Sequence, residues 1–300
     1  MDGFINLLKP TGMTSHDVVS VIRKMMGQKK VGHTGTLDPM AVGVLPVGLG
    51  CATKITEYLE QDKKSYRCEM ILGIRSDTGD IWGDLTGTEK QEQTDPQAVL
   101  QAAESLVGQI SQIPPLYSAV RVDGRRLYEY ARSGAQITPK PRQVTIHCLK
   151  ILRVQKGRIL FDLTCSKGTY VRSVCTQIGE LLGCGGVMSF LARTGSGAFH
   201  INEALTLEEI KKALEEGRDP ASLLLPVDYP IGDYGRIDLN QAKAKRFVNG
   251  NWLKSDRLSI QEGNLKPYYR VYEGDLFLGM GLLDQEKAQL RVHKVFFRQL

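Results

Sequence analysis

Apolar residues recur at helical spacing after Thr14, where Val18, Val19, Ile22, Met25 and Met26 share one face and Gly27 stops the run. Thr14 or Ser15 supplies the cap, so the pattern predicts a scaffold helix. The period then shortens. Tyr66, Cys68, Met70 and Leu72 alternate with Arg67, Glu69 and Ile71, which predicts a strand ending at Gly73. Asp95 and Pro96 open a second helix with Val99, Leu100, Ala103, Leu106 and Val107 on one face, closed by Gly108. Ile159, Phe161, Leu163 and Cys165 alternate again. Residues 158–183 therefore predict a strand, a Lys-Gly turn and a helix ending near Gly183, with Arg172 in its first turn. Thr206 and Glu209 form a capping box for a helix ending near Gly217. Beyond Pro226 and Pro230 the chain breaks into short alternating segments punctuated by glycine, predicting a small β-rich domain from about residue 236. Helices and strands follow no regular βαβ rhythm. The predicted fold class is α+β with a mixed, largely antiparallel sheet.

One stretch fits none of these periods. "QIPPLYSAVRVDGRRLYEYARSG", residues 112–134, mixes basic, aromatic and polar residues and reads as an excursion from the core. It opens the larger of two basic regions: residues 121–158 hold ten Lys or Arg against two acidic residues, and residues 236–300 hold twelve against seven. The whole chain carries only +6, so the rest is slightly acidic, and two basic patches on such a body fit a polyanionic partner, most simply nucleic acid. Charge alone reads equally well as solvated surface.

At 300 residues with 42% apolar residues, the chain has room for about two domains and a sizeable core. Its six cysteines have neither C-x-x-C spacing nor nearby histidines, which argues against a zinc site and for small, reduced core residues. The apolar run from Phe4 to Leu8 is too short for a signal sequence, and no window is long enough to span a bilayer. A cytoplasmic protein is the expectation.

No phosphate loop, H-E-x-x-H or G-x-S-x-G motif is present. What stands out is "VGHTGTLDPMAVGVLPVGLGCATK", residues 31–54, which has five glycines and few charges, with Asp38 at its centre. An aspartate before proline is often a turn residue. A carboxylate among apolar neighbours pays desolvation unless it is paired, and groups that meet that cost are often functional. Arg172, on a second glycine-bordered turn beside Tyr170, is a candidate partner.

These residues sit inside larger blocks. "GFINLLKPTGMTSHDVV", "GHTGTLDPMAVGVLPVGLGCATKI", "KKSYRCEMILG", "SDTGDIWG", "QIPPLYSAVRVDGRRLYEYAR", "CSKGTYVRSV" and "LARTGSGAF" occur in an order and spacing that resembles the bacterial tRNA pseudouridine synthase B family, across essentially the whole chain. Leu8, before Lys-Pro, and Ser76, before Asp-Thr, depart mildly from the family pattern. The resemblance implies a pseudouridine synthase core over residues 1–232 with a thumb-like, RNA-gripping insertion at about 110–142, and a PUA RNA-binding domain over 236–300. It implies isomerisation of uridine 55 in the T-arm loop of tRNA, with no cofactor or metal, no membrane and no obligatory protein partner. The acceptor end of the tRNA is the expected contact of the C-terminal domain.

By the same resemblance Asp38 is the nucleophile and Arg172 its ion-pair partner. His33 fills the space left by an extruded base, Tyr66 and Tyr170 contact that base, and Leu191 is an apolar wall. Read without the resemblance, His33 is equally a structural histidine, and Tyr66, Tyr170 and Leu191 are equally core residues. Two other functions are consistent with the basic patches: a related synthase acting on another RNA, and a tRNA chaperone without chemistry. A chaperone has no need of Asp38.

Overall fold

The chain opens with strand β1 (Gly3–Lys9), in which Phe4, Ile5 and Leu7 are all fully buried. Because both faces are covered, the strand reads in the sequence as a plain apolar run with no alternation. The computed structural model describes residues 1–59, 63–87, 95–135 and 137–297. Helix α1 (Ser15–Met25) follows with Thr14 as its N-cap, and Thr14 and Asp17 form a capping box. Strands β2 (Val31–His33) and β3 (Val42–Leu49) flank the Asp38 loop, so much of the glycine-rich stretch is sheet. Next come β4 (Lys64–Leu72), the short hairpin β5 (Ile74–Ser76) and β6 (Leu85–Gly87), helix α2 (Pro96–Ser105) and β7 (Gly108–Gln112).

Two features of this region differ from the sequence pattern. Leu100 and Val107 are 40% and 47% exposed, because only Val99, Ala103 and Leu106 of the expected face turn inward. Gly108 ends the helical region but also starts β7, which lies in the main sheet.

The chain leaves the sheet after Gln112 and rejoins it at Arg142. Between them lie the two-residue strands β8 (Arg121–Val122) and β9 (Arg125–Arg126), and helix α3 (Leu127–Arg132). The excursion thus covers residues 113–141, and residues 110–112 belong to the sheet. Long strands β10 (Arg142–Gln155) and β11 (Arg158–Cys165) then lead into helix α4 (Val171–Leu181). Strand β12 (Gly186–Ser196), strand β13 (Phe199–His200) and helix α5 (Leu207–Glu215) complete this part, α5 with the expected Thr206–Glu209 capping box.

Among the described residues the main sheet has nine strands, with β1-β3-β12-β4-β11-β10-β7 as its path; β2 pairs β3 and β13 pairs β12. Its pairings are antiparallel apart from β3 with β12. Tyr66, Cys68 and Met70 turn one face of β4 into a core shared with α2 and α4, while Arg67 on the other face bonds Asp162 at 2.8 Å in the exposed layer. Cys148, expected in the core, is exposed: a register shift between Ile146 and Cys148 breaks the alternation of β10 there. Cys51 is only half-buried, and the other four cysteines are buried.

From Tyr234 the chain builds a second sheet from β14 (Tyr234–Asp238), β15 (Leu253–Lys254), β16 (Ser259–Gln261), β17 (Leu265–Glu273), β18 (Leu276–Asp284) and β19 (Gln289–Val295). Helix α6 (Gln241–Val248) packs Ala244 and Phe247 into its core. This sheet docks on the first part through a shared cluster in which Phe4, Tyr58 and Phe199 meet Tyr272, Phe277 and Phe296. The expected domain reaches residue 300, of which 298–300 lie outside the described residues.

Candidate active site

The loop between β2 and β3 is fixed at almost every peptide. From one side the Ser15 hydroxyl donates to Leu37 O (3.1 Å) and accepts from Leu37 N (2.9 Å), while Thr11 Oγ1 donates to Met40 O. Lys9, fully buried, donates to Pro10 O and Met13 O at 2.7 Å and to Pro39 O at 3.4 Å. From the other side Arg193, 1% exposed, donates to Val44 O (2.7 Å), Gly35 O (3.1 Å) and Thr36 O (3.3 Å). Leu37, Met40 and Ala41 fill the core below. Gly43 crosses Arg193 so closely, at φ +113°, that a Cβ there would lie 2.2 Å from the Arg193 carbonyl oxygen. Asp38 is therefore held by its neighbours on both sides.

The carboxylate meets Arg172, which is nearly sealed at 5% side-chain exposure while Asp38 keeps 31%. Arg172 Nε lies 2.9 Å from Asp38 Oδ2, and Nη2 donates to Oδ1 at 3.3 Å. The rest of the guanidinium is taken up elsewhere: Nη1 donates to Thr78 O (2.8 Å) and lies 3.8 Å from Asp80 Oδ2, and Nη2 also donates to Tyr117 O (3.0 Å). Asp80, itself buried, is oriented by the Thr78 hydroxyl and the Trp82 amide. One cation thus serves two carboxylates. Burial pushes the Asp38 carboxyl above its ordinary 3.8, and Asp80 adds to that, with Arg172 opposing them. Burial likewise lowers the Lys9 ammonium to about 8, with the Asp38 charge working the other way.

Tyr66 and Leu191 belong to the same apolar core cluster as Leu37 and Met40, the buried residues of the Asp38 loop. Burial raises the Tyr66 phenol, while Arg193 opposes the shift. His33 stands on β2 opposite Val47, and its Nδ1 is buried with no hydrogen-bond partner among the described residues; burial and the nearby Arg193 hold its pKa down. Tyr170 caps α4 two residues before Arg172, and its ring faces Arg142 at 4.6 Å. The structure thus joins Asp38 to Arg172 directly, brings Tyr66 within electrostatic reach of Asp38, and puts Leu191 in the same core cluster as Leu37 and Met40, while His33 stands on β2 and Tyr170 at the start of α4.

Sequence reasoning missed Lys9, Ser15, Asp80 and Arg193. Lys9 and Ser15 look like ordinary surface residues, and Arg193 falls in a strand that the alternation did not reveal. The available signal was their position inside the blocks that resemble the family. Among the described residues no group of His, Cys, Asp or Glu is arranged to hold a metal, and no helix is long and apolar enough to cross a membrane.

Residues 23–171 match the TruB family pseudouridylate synthase N-terminal domain, and residues 172–231 match the tRNA pseudouridylate synthase B C-terminal domain. The tRNA pseudouridine synthase B of Alkaliphilus oremlandii (strain OhILAs) is 44% identical over 304 aligned residues, covering 100% of both chains. That of Clostridioides difficile (strain 630) is 43% identical over 295 residues, covering 97% of this chain and 98% of the relative. Among solved structures, a chain of a Cbf5–Nop10–Gar1 complex superposes with a TM-score of 0.77 at 26% identity, over 99% of this chain and 85% of that one. The mixed core and the curled, PUA-like C-terminal sheet agree with this likeness. The chain belongs to the TruB family of pseudouridylate synthases.

Proposed function

We propose that the protein converts uridine to pseudouridine in the T-arm loop of tRNA, at uridine 55, with Asp38 as nucleophile. The observation that carries this reading is the Asp38–Arg172 pair, set in a loop whose peptides are fixed on both sides. The reaction breaks the N1 glycosidic bond, rotates the free uracil and rejoins it through C5. A proton leaves C5 and one is gained at N1, so there is no redox change. A positioned carboxylate screened from bulk water can attack, or can stabilise charge developing on the sugar, and apolar walls keep the detached base from leaving.

The target base lies in a folded loop and must be extruded to reach Asp38. In this reading Tyr66 stacks on the base, Leu191 closes the pocket, Tyr170 touches the base from the start of α4, and His33 supports the space left in the RNA. Residues 1–232 make up the catalytic unit, with the insertion as an RNA grip, and residues 236–300 form the RNA-binding PUA unit directed at the acceptor end. A minimal T-arm hairpin at saturating concentration is expected to be converted; an unmodified hairpin at high enzyme would refute the T-arm assignment.

The raised Asp38 carboxyl predicts the acid limb of the pH profile. As pH falls through its pKa, which lies above 3.8, the nucleophile is protonated and the single-turnover rate drops. A carboxyl raised by folding is destabilising when ionised, so protonating Asp38 does not itself unfold the protein; the lowered carboxyls of Asp17, Glu57 and Glu209 do lose stability in acid, and an unfolding titration at each pH separates that loss from the rate loss. Rates that stay flat down to the ordinary carboxylate range would contradict the assignment.

The exposed Arg125 and Arg126 project from the insertion. Replacing both with alanine is expected to weaken tRNA binding and to reduce the salt slope of log affinity by up to about 2, roughly one for each phosphate no longer neutralised. Binding titrations between low and moderate salt test this. An unchanged slope would return these two arginines to plain surface charge.

A further inference from the structure

We infer that Gln112 and Arg142, the two residues at which the insertion leaves and rejoins the sheet, form a clasp that positions Tyr170 and with it the start of α4. They are opposite each other in the β7–β10 register. Gln112 is fully buried, and its side-chain amide pairs with the main chain of Tyr170 at both ends: Oε1 accepts from Tyr170 N at 2.7 Å and Nε2 donates to Tyr170 O at 3.1 Å. Arg142 takes the other part of the same residue, with its guanidinium over the Tyr170 ring at 4.6 Å while it donates to Gly168 O in the preceding turn.

The fit is specific in chemical terms. Tyr170 is the N-cap of α4 and its carbonyl already accepts from Val174 N at 3.2 Å, so the Gln112 amide adds a second donor to that carbonyl and supplies the acceptor for the Tyr170 N–H. A neutral primary amide carries a donor and an acceptor side by side and so matches the N–H and C=O of one residue, which an ionised carboxylate or an ammonium does not. The stitching continues along α4: Ser173 Oγ donates to Ile113 O (3.1 Å) and Arg172 Nη2 to Tyr117 O (3.0 Å). The root of the insertion is thus tied to the helix that supplies the ion-pair partner of Asp38. Gln112 and Arg142 act through Tyr170 and are positioning residues. The inference rests on the proposed synthase reading, and it adds that the grip on the RNA and the placement of Tyr170 share one rigid joint.

The test uses the full chain and the T-arm hairpin, comparing Gln112→Leu, Gln112→Glu and Arg142→Met with wild type. Displacement of a positioning group by about 1 Å costs up to about 100-fold in rate, so Gln112→Leu is expected to lower kcat by roughly 10- to 100-fold with hairpin affinity within about threefold. Gln112→Glu separates positioning from folding. A protonated carboxyl can accept from Tyr170 N and donate to Tyr170 O, but an ionised one can only accept. The ratio of variant to wild-type rate is therefore expected to rise as pH falls, even as both rates decline. Arg142→Met is expected to lower kcat while leaving the salt slope of binding unchanged, whereas a phosphate contact would reduce that slope by about 1. A ratio that is flat with pH for Gln112→Glu, or full kcat in Gln112→Leu, overturns the clasp. If wild type itself leaves the hairpin unmodified, the synthase reading fails and the clasp falls with it; a normal wild type with unaffected variants sinks the clasp alone.

Discussion

Replacing Asp38 with asparagine is expected to lower pseudouridine formation by on the order of 10⁴-fold or more, in line with the loss of a nucleophile in other enzymes, while tRNA affinity stays within about tenfold, roughly 1.4 kcal/mol. The geometry separates the two effects. Asp38 is held by its neighbours' peptides, through Ser15, Lys9 and Arg193, and none of those bonds uses its carboxylate. Arg172 keeps Thr78 O, Tyr117 O and the nearby Asp80 when the Asp38 charge is gone. Because burial already disfavours the ionised carboxyl, removing that charge at neutral pH does not forfeit a large stabilisation. The variant should therefore fold, bind and fail to react. Single-turnover assays with binding titrations decide it, and comparable turnover in the variant would remove the assignment of Asp38.

Arg172→Met should do more damage to the fold. It leaves Asp38 and Asp80 sharing a largely buried site with no cation between them, and it vacates two backbone carbonyls. Losing one member of a fully buried pair costs about 3–5 kcal/mol; with 31% of the Asp38 side chain open to solvent, roughly 2–4 kcal/mol is expected from urea unfolding. Residual activity should show its acid limb at higher pH than wild type, since Asp38 then lacks the group that opposes its rise. Arg172→Lys should recover part of the stability and little of the rate, because an ammonium cannot reach both carboxylates and both carbonyls at once. A Met variant as stable as wild type, with an unmoved acid limb, would mean that the pair is incidental.

The parts of the fold that were legible in the sequence are those where one face is buried and the other wet. The alternation of β4 and β11 and the stripe of α1 depend on that contrast, and the capping box of α5 was legible because its two hydrogen bonds join residues three apart in sequence. β1 and β12 escaped because they are covered on both sides or broken by register shifts, so that period two disappears. At the site, Asp38 could be suspected from a lone carboxylate among apolar residues, and Arg172 from its place on a glycine-bordered turn. Lys9, Ser15, Arg193 and Gln112 could not, since each serves a backbone carbonyl or amide distant in sequence, and such partners leave no trace in local pattern.

The most direct measurement is position-resolved mapping of pseudouridine in an unmodified full-length tRNA transcript after incubation with the pure protein, wild type and Asp38→Asn in parallel. A single new pseudouridine in the T-arm loop, at position 55, is expected with wild type and none with the variant at equal tRNA occupancy. An unmodified transcript with wild type, or equal conversion by both proteins, would contradict it.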